Sequence, residues 1–140
     1  MALFSFSITT PITATKTKPK ITLIKLSVGV IHYIRVFIPA GQKGLGHTQV
    51  LLNKTHIAPT NSAGDFHGDD VEIVYNDFIT LAVNNTVLTV LTWNDSTKYE
   101  KEVILSFGVL PRFILLPFEI AEKINTGIKK LIGKEYEVKE

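Results

Sequence analysis

The densest set of side chains that could perform chemistry lies at Asp65-Phe66-His67-Gly68-Asp69-Asp70, with His47 and His56 upstream. Carboxylates and imidazoles are ligands of calcium and of transition-metal ions, so a turn-rich loop of this composition could hold a cation. The spacing, however, matches neither an EF-hand nor a zinc motif. Asp and Gly also form turns without any ligand. We therefore predict a polar loop, with no bound metal and no other cofactor.

A second candidate is the glycine-rich stretch at residues 41–46, Gly-Gln-Lys-Gly-Leu-Gly. It lacks the Gly-Lys-Ser/Thr ending of a phosphate-binding loop and no helical pattern follows it, so we interpret it as a surface loop. Asp69 and Asp70 are adjacent at a presumed strand start, so their carboxylates should point to opposite faces. Paired-carboxylate chemistry needs convergent groups. Because no serine has a nucleophile-elbow context either, we predict that the protein is not an enzyme.

Three aromatic residues, Tyr75, Trp93 and Tyr99, could form a platform that stacks on a sugar ring. Together with the polar loop at 61–70, they define the main alternative function, a carbohydrate- or ligand-binding module. Trp93 lies at the end of an alternating strand pattern. We therefore favour the interpretation that it fills the core or its rim.

The composition predicts one folded domain that does not bind nucleic acid. The chain has 140 residues, of which 45% are hydrophobic and 20% are charged, with a net charge of +2 and no cysteine. The absence of cysteine excludes disulfides and thiolate metal sites. The clustered lysines, Lys16, Lys18, Lys20 and Lys25, lie at one spot rather than along a helix, so we do not expect nucleic acid as a partner. No apolar run reaches the roughly 18 residues of a spanning helix.

Short apolar runs separated by turn residues predict the elements that would position these side chains. The runs occupy residues 20–38 (one strand, or two joined at a bend), 47–52, 55–58, 71–75, 78–83, 86–93 and 98–107. Gly29 is the natural bend, and Asn53-Lys54 and Asn76-Asp77 are turn dipeptides. Asn84-Asn85 gives the clearest hairpin, because both residues tolerate positive φ. Seven or eight strands without helices predict an antiparallel β-sandwich, of jelly-roll or immunoglobulin-like type.

Both ends are too apolar for ordinary tails. We predict an extended N-terminal arm over 1–19, the sandwich over 20–108, and an apolar segment followed by an amphipathic helix over 109–140. Pro117 suits the first position of that helix and Gly133 its end. Apolar residues at intervals of three or four give the helix one apolar stripe.

The sequence allows more than one role for each terminal segment. The arm is either a mobile terminus or a strand added to a neighbouring subunit. The helix packs on its own sandwich, on a partner, or at a lipid surface through 109–132. The predicted docking residues are Leu3, Phe4 and Phe6 in the arm, and Phe113, Leu115, Phe118, Ile124 and Ile128 in the C-terminal region.

Three stretches resemble small β-sandwich proteins of virus particles, namely the adaptor, decoration and spike-base proteins of tailed phages and archaeal viruses. They are Val-Ile-His-Tyr-Ile-Arg-Val-Phe-Ile-Pro-Ala-Gly at 30–41, Ile-Ala-Pro-Thr-Asn at 57–61 and Leu-Thr-Trp-Asn-Asp at 91–95. The resemblance covers about residues 20–107 and rests on a style of strand and turn, so it transfers no functional residue. It implies a non-enzymatic structural protein of the virion, which forms oligomers with itself and contacts other virion proteins.

Overall fold

A computed structural model describes residues 2–111, which are mainly β as predicted. The strands are β1 (Ala2–Thr10), β2 (Lys20–Lys25), β3 (Gly29–Ile38), β4 (Gly46–Leu52), β5 (Thr55–Ala58), β6 (Val71–Leu81), β7 (Val87–Asn94) and β8 (Lys101–Leu110). They form two antiparallel four-stranded sheets. The first sheet has the order β1-β8-β3-β6 and the second has the order β2-β7-β4-β5.

The two sheets enclose one hydrophobic core in a sandwich-like arrangement. The predicted inward positions of β8, Val103, Leu105 and Phe107, are buried as expected from strand alternation. They join one cluster with side chains of the second sheet, among them Val50 and Leu88. Because both inner faces contribute to this cluster, neither sheet could bury its apolar face without the other.

Consecutive strands change sheets at every connection except the one from β4 to β5. That exception is the predicted turn at Asn53 and Lys54, whose φ angles of 49° and 66° are the positive values that a tight hairpin requires. The predicted bend at Gly29 is also present, since the apolar run 20–38 divides there into β2 and β3. A Cβ on Gly29 would collide with the carbonyl oxygen of Leu110, so the start of β3 lies very close to β8.

The predicted turn at Asn76-Asp77 is wrong, because β6 runs continuously through both residues. In the register with β3, Ile79 faces Ile31 and Asn76 faces Tyr33, which leaves two residues of β6 opposite one residue of β3. This is the geometry of a β-bulge. The turn-forming residues are therefore accommodated by an irregularity inside the strand rather than by a reversal of the chain.

The predicted hairpin at Asn84-Asn85 is also wrong. A tight turn does occur there, and the amide of Asn85 donates to the carbonyl of Ala82 over 2.9 Å. However, β6 and β7 belong to different sheets. Neither asparagine has a positive φ, so the turn lacks the twist that keeps two strands in one ladder.

The N-terminal prediction is corrected in part. Residues 2–10 are extended, as expected, but they pair along their whole length with β8 of the same chain, from Ala2 opposite Val109 to Thr10 opposite Lys101. Ile8 is buried, and Phe4 and Phe6 pack against the core. The sandwich therefore begins at β1 rather than at residue 20, because alternate apolar side chains give this segment an inward face.

At the other end, β8 extends to Leu110, past the predicted boundary at 108. The predicted helix and the C-terminal docking residues lie outside the described residues; these are Phe113, Leu115, Phe118, Ile124 and Ile128. Within residues 2–111, no helix has the length and apolar character needed to cross a bilayer.

Candidate functional site

A cluster of polar side chains on the outer face of the second sheet is the first candidate site. The backbone of Phe66 pairs with that of Thr48, with N–O distances of 2.9 and 3.0 Å, and so extends the sheet beside β4. Because side chains alternate along an extended chain, Phe66 points inward and packs against the core. Its neighbours Asp65 and His67 point outward, where they meet His47 of β4.

The cluster is held by short contacts. Oδ1 of Asp65 lies 2.6 Å from Nδ1 of His47 and 2.8 Å from Nδ1 of His67. The other ring nitrogen of His47, Nε2, lies 2.8 Å from Oδ2 of Asp95, which follows β7. The His47 ring also stacks on Trp93 with 5.3 Å between ring centroids and 8° between planes. Strand pairing thus assembles residues that are far apart in sequence.

Asp65 is the electrostatic centre of the cluster. Its partial burial by itself raises its pKa, but hydrogen bonds and charge from His47 and His67 outweigh that effect and leave the pKa below its usual value. The carboxylate is therefore ionised at neutral pH and accepts from both rings. The arrangement can bind a proton or a metal ion between its three side chains.

The aromatic residues do not form a sugar-stacking platform. Trp93 is only 4% exposed, but it is buried on the outer face of the second sheet, where it stacks on His47, rather than in the core cluster. Tyr75 packs against the core, where burial and the charge of Asp77 raise its pKa to about 12. Tyr99 is exposed, but it lines a different pocket from the one that Trp93 lines. The three rings therefore do not converge on one ligand.

The glycine-rich loop has a structural role, in agreement with its interpretation as a surface loop. Asp69 accepts hydrogen bonds from the backbone amides of Gly41 and Gln42 at 2.7 and 3.1 Å. The side chain of Gln42 in turn accepts from the amide of Glu102 at 2.9 Å. Amides that could have bound a phosphate are thus already occupied by a carboxylate of the same chain.

A second candidate surface is apolar and was not singled out from the sequence. Ile21 and Leu23 on the edge strand β2 are 64% and 68% exposed. Val87 of β7 is also exposed, half-buried Leu91 lies opposite Ile21, and half-buried Leu51 of β4 lies beyond Thr89 from Leu23. We call these five aliphatic residues the apolar band. The sequence of β2 could have revealed this surface, because apolar residues occupy both faces of the strand.

The docking residues predicted in the N-terminal segment fall on opposite faces of β1. Leu3 is exposed, whereas Phe4 and Phe6 are partly buried against the core. Leu3 alone of the three keeps a side chain free for contact with another molecule, among the residues that the structure describes.

No protein-family model matches the chain, and no curated protein matches it. Solved structures similar to part of it include hydroxypropylphosphonic acid epoxidase from S. wedmorenis, at 8% identity and a TM-score of 0.37, over 76% of this chain and 43% of that one. The Yersinia pseudotuberculosis-derived mitogen gives 10% identity and a TM-score of 0.42, over 78% and 86% of the two chains. The Tobacco streak virus coat protein gives 8% identity and a TM-score of 0.33, over 78% and 86%.

The chain thus spans less than half the length of the epoxidase and most of the length of the other two. All of these likenesses are weak. They include a viral coat protein, but they decide neither the function nor the partners of this chain.

Proposed function

We propose that this chain is a non-enzymatic structural protein of a virus particle, a jelly roll that assembles with copies of itself and with other virion proteins. Eight strands in the orders β1-β8-β3-β6 and β2-β7-β4-β5 fit the two interlocked Greek keys of a jelly roll. Viral capsid proteins, lectins and cupins share this architecture. A fold does not define a function. The choice among these classes of protein therefore rests on the surface of the molecule.

The apolar band is the observation that carries the proposal. Monomeric proteins rarely leave contiguous apolar side chains on an unprotected sheet edge, where another chain can pair or pack. Here two large aliphatic side chains lie mostly exposed on edge strand β2, beside a third on β7. Such a surface favours a partner that covers it.

The occupant we propose is the apolar C-terminal segment of a neighbouring copy. The chain continues from β8 into an apolar run at 113–118, which needs burial. The chain leaves the sandwich at the end of β8, which belongs to the first sheet. The apolar band, in contrast, lies on the outer face of the second sheet. A contact between a segment of one copy and the band of the next is head-to-tail, which generates rings or filaments, or a closed dimer when two copies exchange segments.

The proposal predicts the effect of charges in the C-terminal segment. Phe113→Asp combined with Phe118→Asp should convert the assembled full-length chain to monomers, because two carboxylates would have to be buried against the band. Light scattering in detergent-free buffer measures the mass. Lys129→Asp is the control, since it changes the net charge by the same amount at a polar position and should leave the assembly intact. Equal masses for the double variant and the wild-type assembly would contradict the proposed contact.

A further inference from the structure

The cluster on the second sheet supports a function that the assembly proposal does not require. One ligand atom from each of His47, Asp65 and His67 lies within 4.8 Å of the other two, and Oδ1 of Asp65 contacts Nδ1 of both rings. We propose that these three side chains bind a divalent transition-metal ion, with Zn²⁺ as the ion that fits best. This departs from the sequence-based prediction of no metal.

The donor set selects the class of ion. Two imidazole nitrogens and one carboxylate oxygen suit Zn²⁺ and its transition-metal neighbours, whereas Ca²⁺ and Mg²⁺ prefer ligands that are all oxygen. Bonds of about 2.0–2.2 Å to a tetrahedral ion would separate the donor atoms by roughly 3.3–3.5 Å. The present separations from Asp65 are 2.6 and 2.8 Å to the two rings. The three ligand atoms lie within 4.8 Å of one another, so an ion replacing the hydrogen-bonded protons needs side-chain shifts on the order of 1 Å.

The surroundings of His47 orient it as a metal ligand. Metal-binding histidines usually donate their second ring nitrogen to a carboxylate, which fixes the tautomer and the ring orientation. Asp95 occupies that position, with Oδ2 at 2.8 Å from Nε2 of His47. The stacked ring of Trp93 further restricts rotation of the imidazole. Nδ1 is thereby left to face Asp65 and the proposed ion.

The third ligand leaves the site accessible. The side chain of His67 is 56% exposed, whereas those of His47 and Asp65 are 15% and 17% exposed. An ion can therefore enter from solvent, and its fourth position would hold water or a side chain from another molecule. The bound ion would clamp the loop that precedes β6 onto β4 and so stabilise the folded state.

The test is a titration of the metal-free full-length chain with Zn²⁺ by calorimetry and with Co²⁺ by visible absorption. We expect one ion per chain and the intense Co²⁺ bands of a tetrahedral site. His67→Gln should weaken binding at least tenfold without unfolding the protein, because this side chain is largely exposed. Asp65→Asn should weaken binding to a similar or greater degree.

Asp70→Asn is the matched control, since it removes a carboxylate from the same loop with the same change in charge. The Asp70 side chain makes no hydrogen bond within residues 2–111, and binding should be unchanged. The proposal is overturned if the wild-type chain binds no stoichiometric ion. It is equally overturned if His67→Gln binds as tightly as the wild type, or if Asp70→Asn weakens binding as much as Asp65→Asn does.

Discussion

Replacing Ile21 and Leu23 together by aspartate should weaken self-association of the full-length chain at least 100-fold and leave its thermal unfolding nearly unchanged. Burying an aliphatic side chain of this size contributes about 1.5–3 kcal/mol, and an unpaired carboxylate in the same contact adds a desolvation cost. A 100-fold change in affinity corresponds to only about 2.8 kcal/mol. Because both side chains are mostly exposed in the single chain, the fold should tolerate the change.

The matched control lies on the opposite sheet. Val74 and Phe78 of β6 are also exposed apolar residues on an edge strand, but they lie on the first sheet, where the ion pair of Arg35 with Glu72 adjoins Val74. Val74→Asp combined with Phe78→Asp should therefore leave the association constant near that of the wild type, as measured by sedimentation. Equal losses of affinity for both pairs would indicate non-specific hydrophobic association. An unchanged association constant for the β2 pair would show that the apolar band is not part of the interface.

Phe6→Asp should lower the free energy of unfolding by about 3 kcal/mol, whereas Leu3→Asp on the same strand should cost less than about 1 kcal/mol. Phe6 packs against the core, so an aspartate there would bury a charge and leave a gap. Leu3 faces solvent on the other side of β1. Urea denaturation of both variants measures the difference. Equal stabilities would mean that residues 2–10 form an arm separate from the sandwich.

The features that could be predicted from sequence are those that depend on neighbouring residues. Positive φ at Asn53 and Lys54 defines the one connection that stays within a sheet, and Gly29 marks the bend between β2 and β3. The alternation of Val103, Leu105 and Phe107 identified the inward face of β8. Such signals lie within a few residues of the structure they specify, so one sequence suffices.

The features that could not be predicted depend on which strands pair. Asn84-Asn85 has hairpin composition, yet the chain crosses there between sheets. The N-terminal segment reads equally well as an arm or a strand until the free edge of β8 is known. His47 and Asp65 meet only because Thr48 pairs with Phe66, and Asp95 arrives from the loop after β7. Their spacing along the chain therefore matches no metal motif.

The most direct test of head-to-tail assembly is the mass of an equimolar mixture of two monomeric variants. One carries Ile21→Asp and Leu23→Asp, and the other carries Phe113→Asp and Phe118→Asp. Each retains one half of the proposed contact, so the mixture should form a one-to-one dimer of twice the 15.6 kDa chain mass and grow no further. A mixture that remains monomeric, although the wild-type chain assembles, would contradict binding of the C-terminal segment to the apolar band.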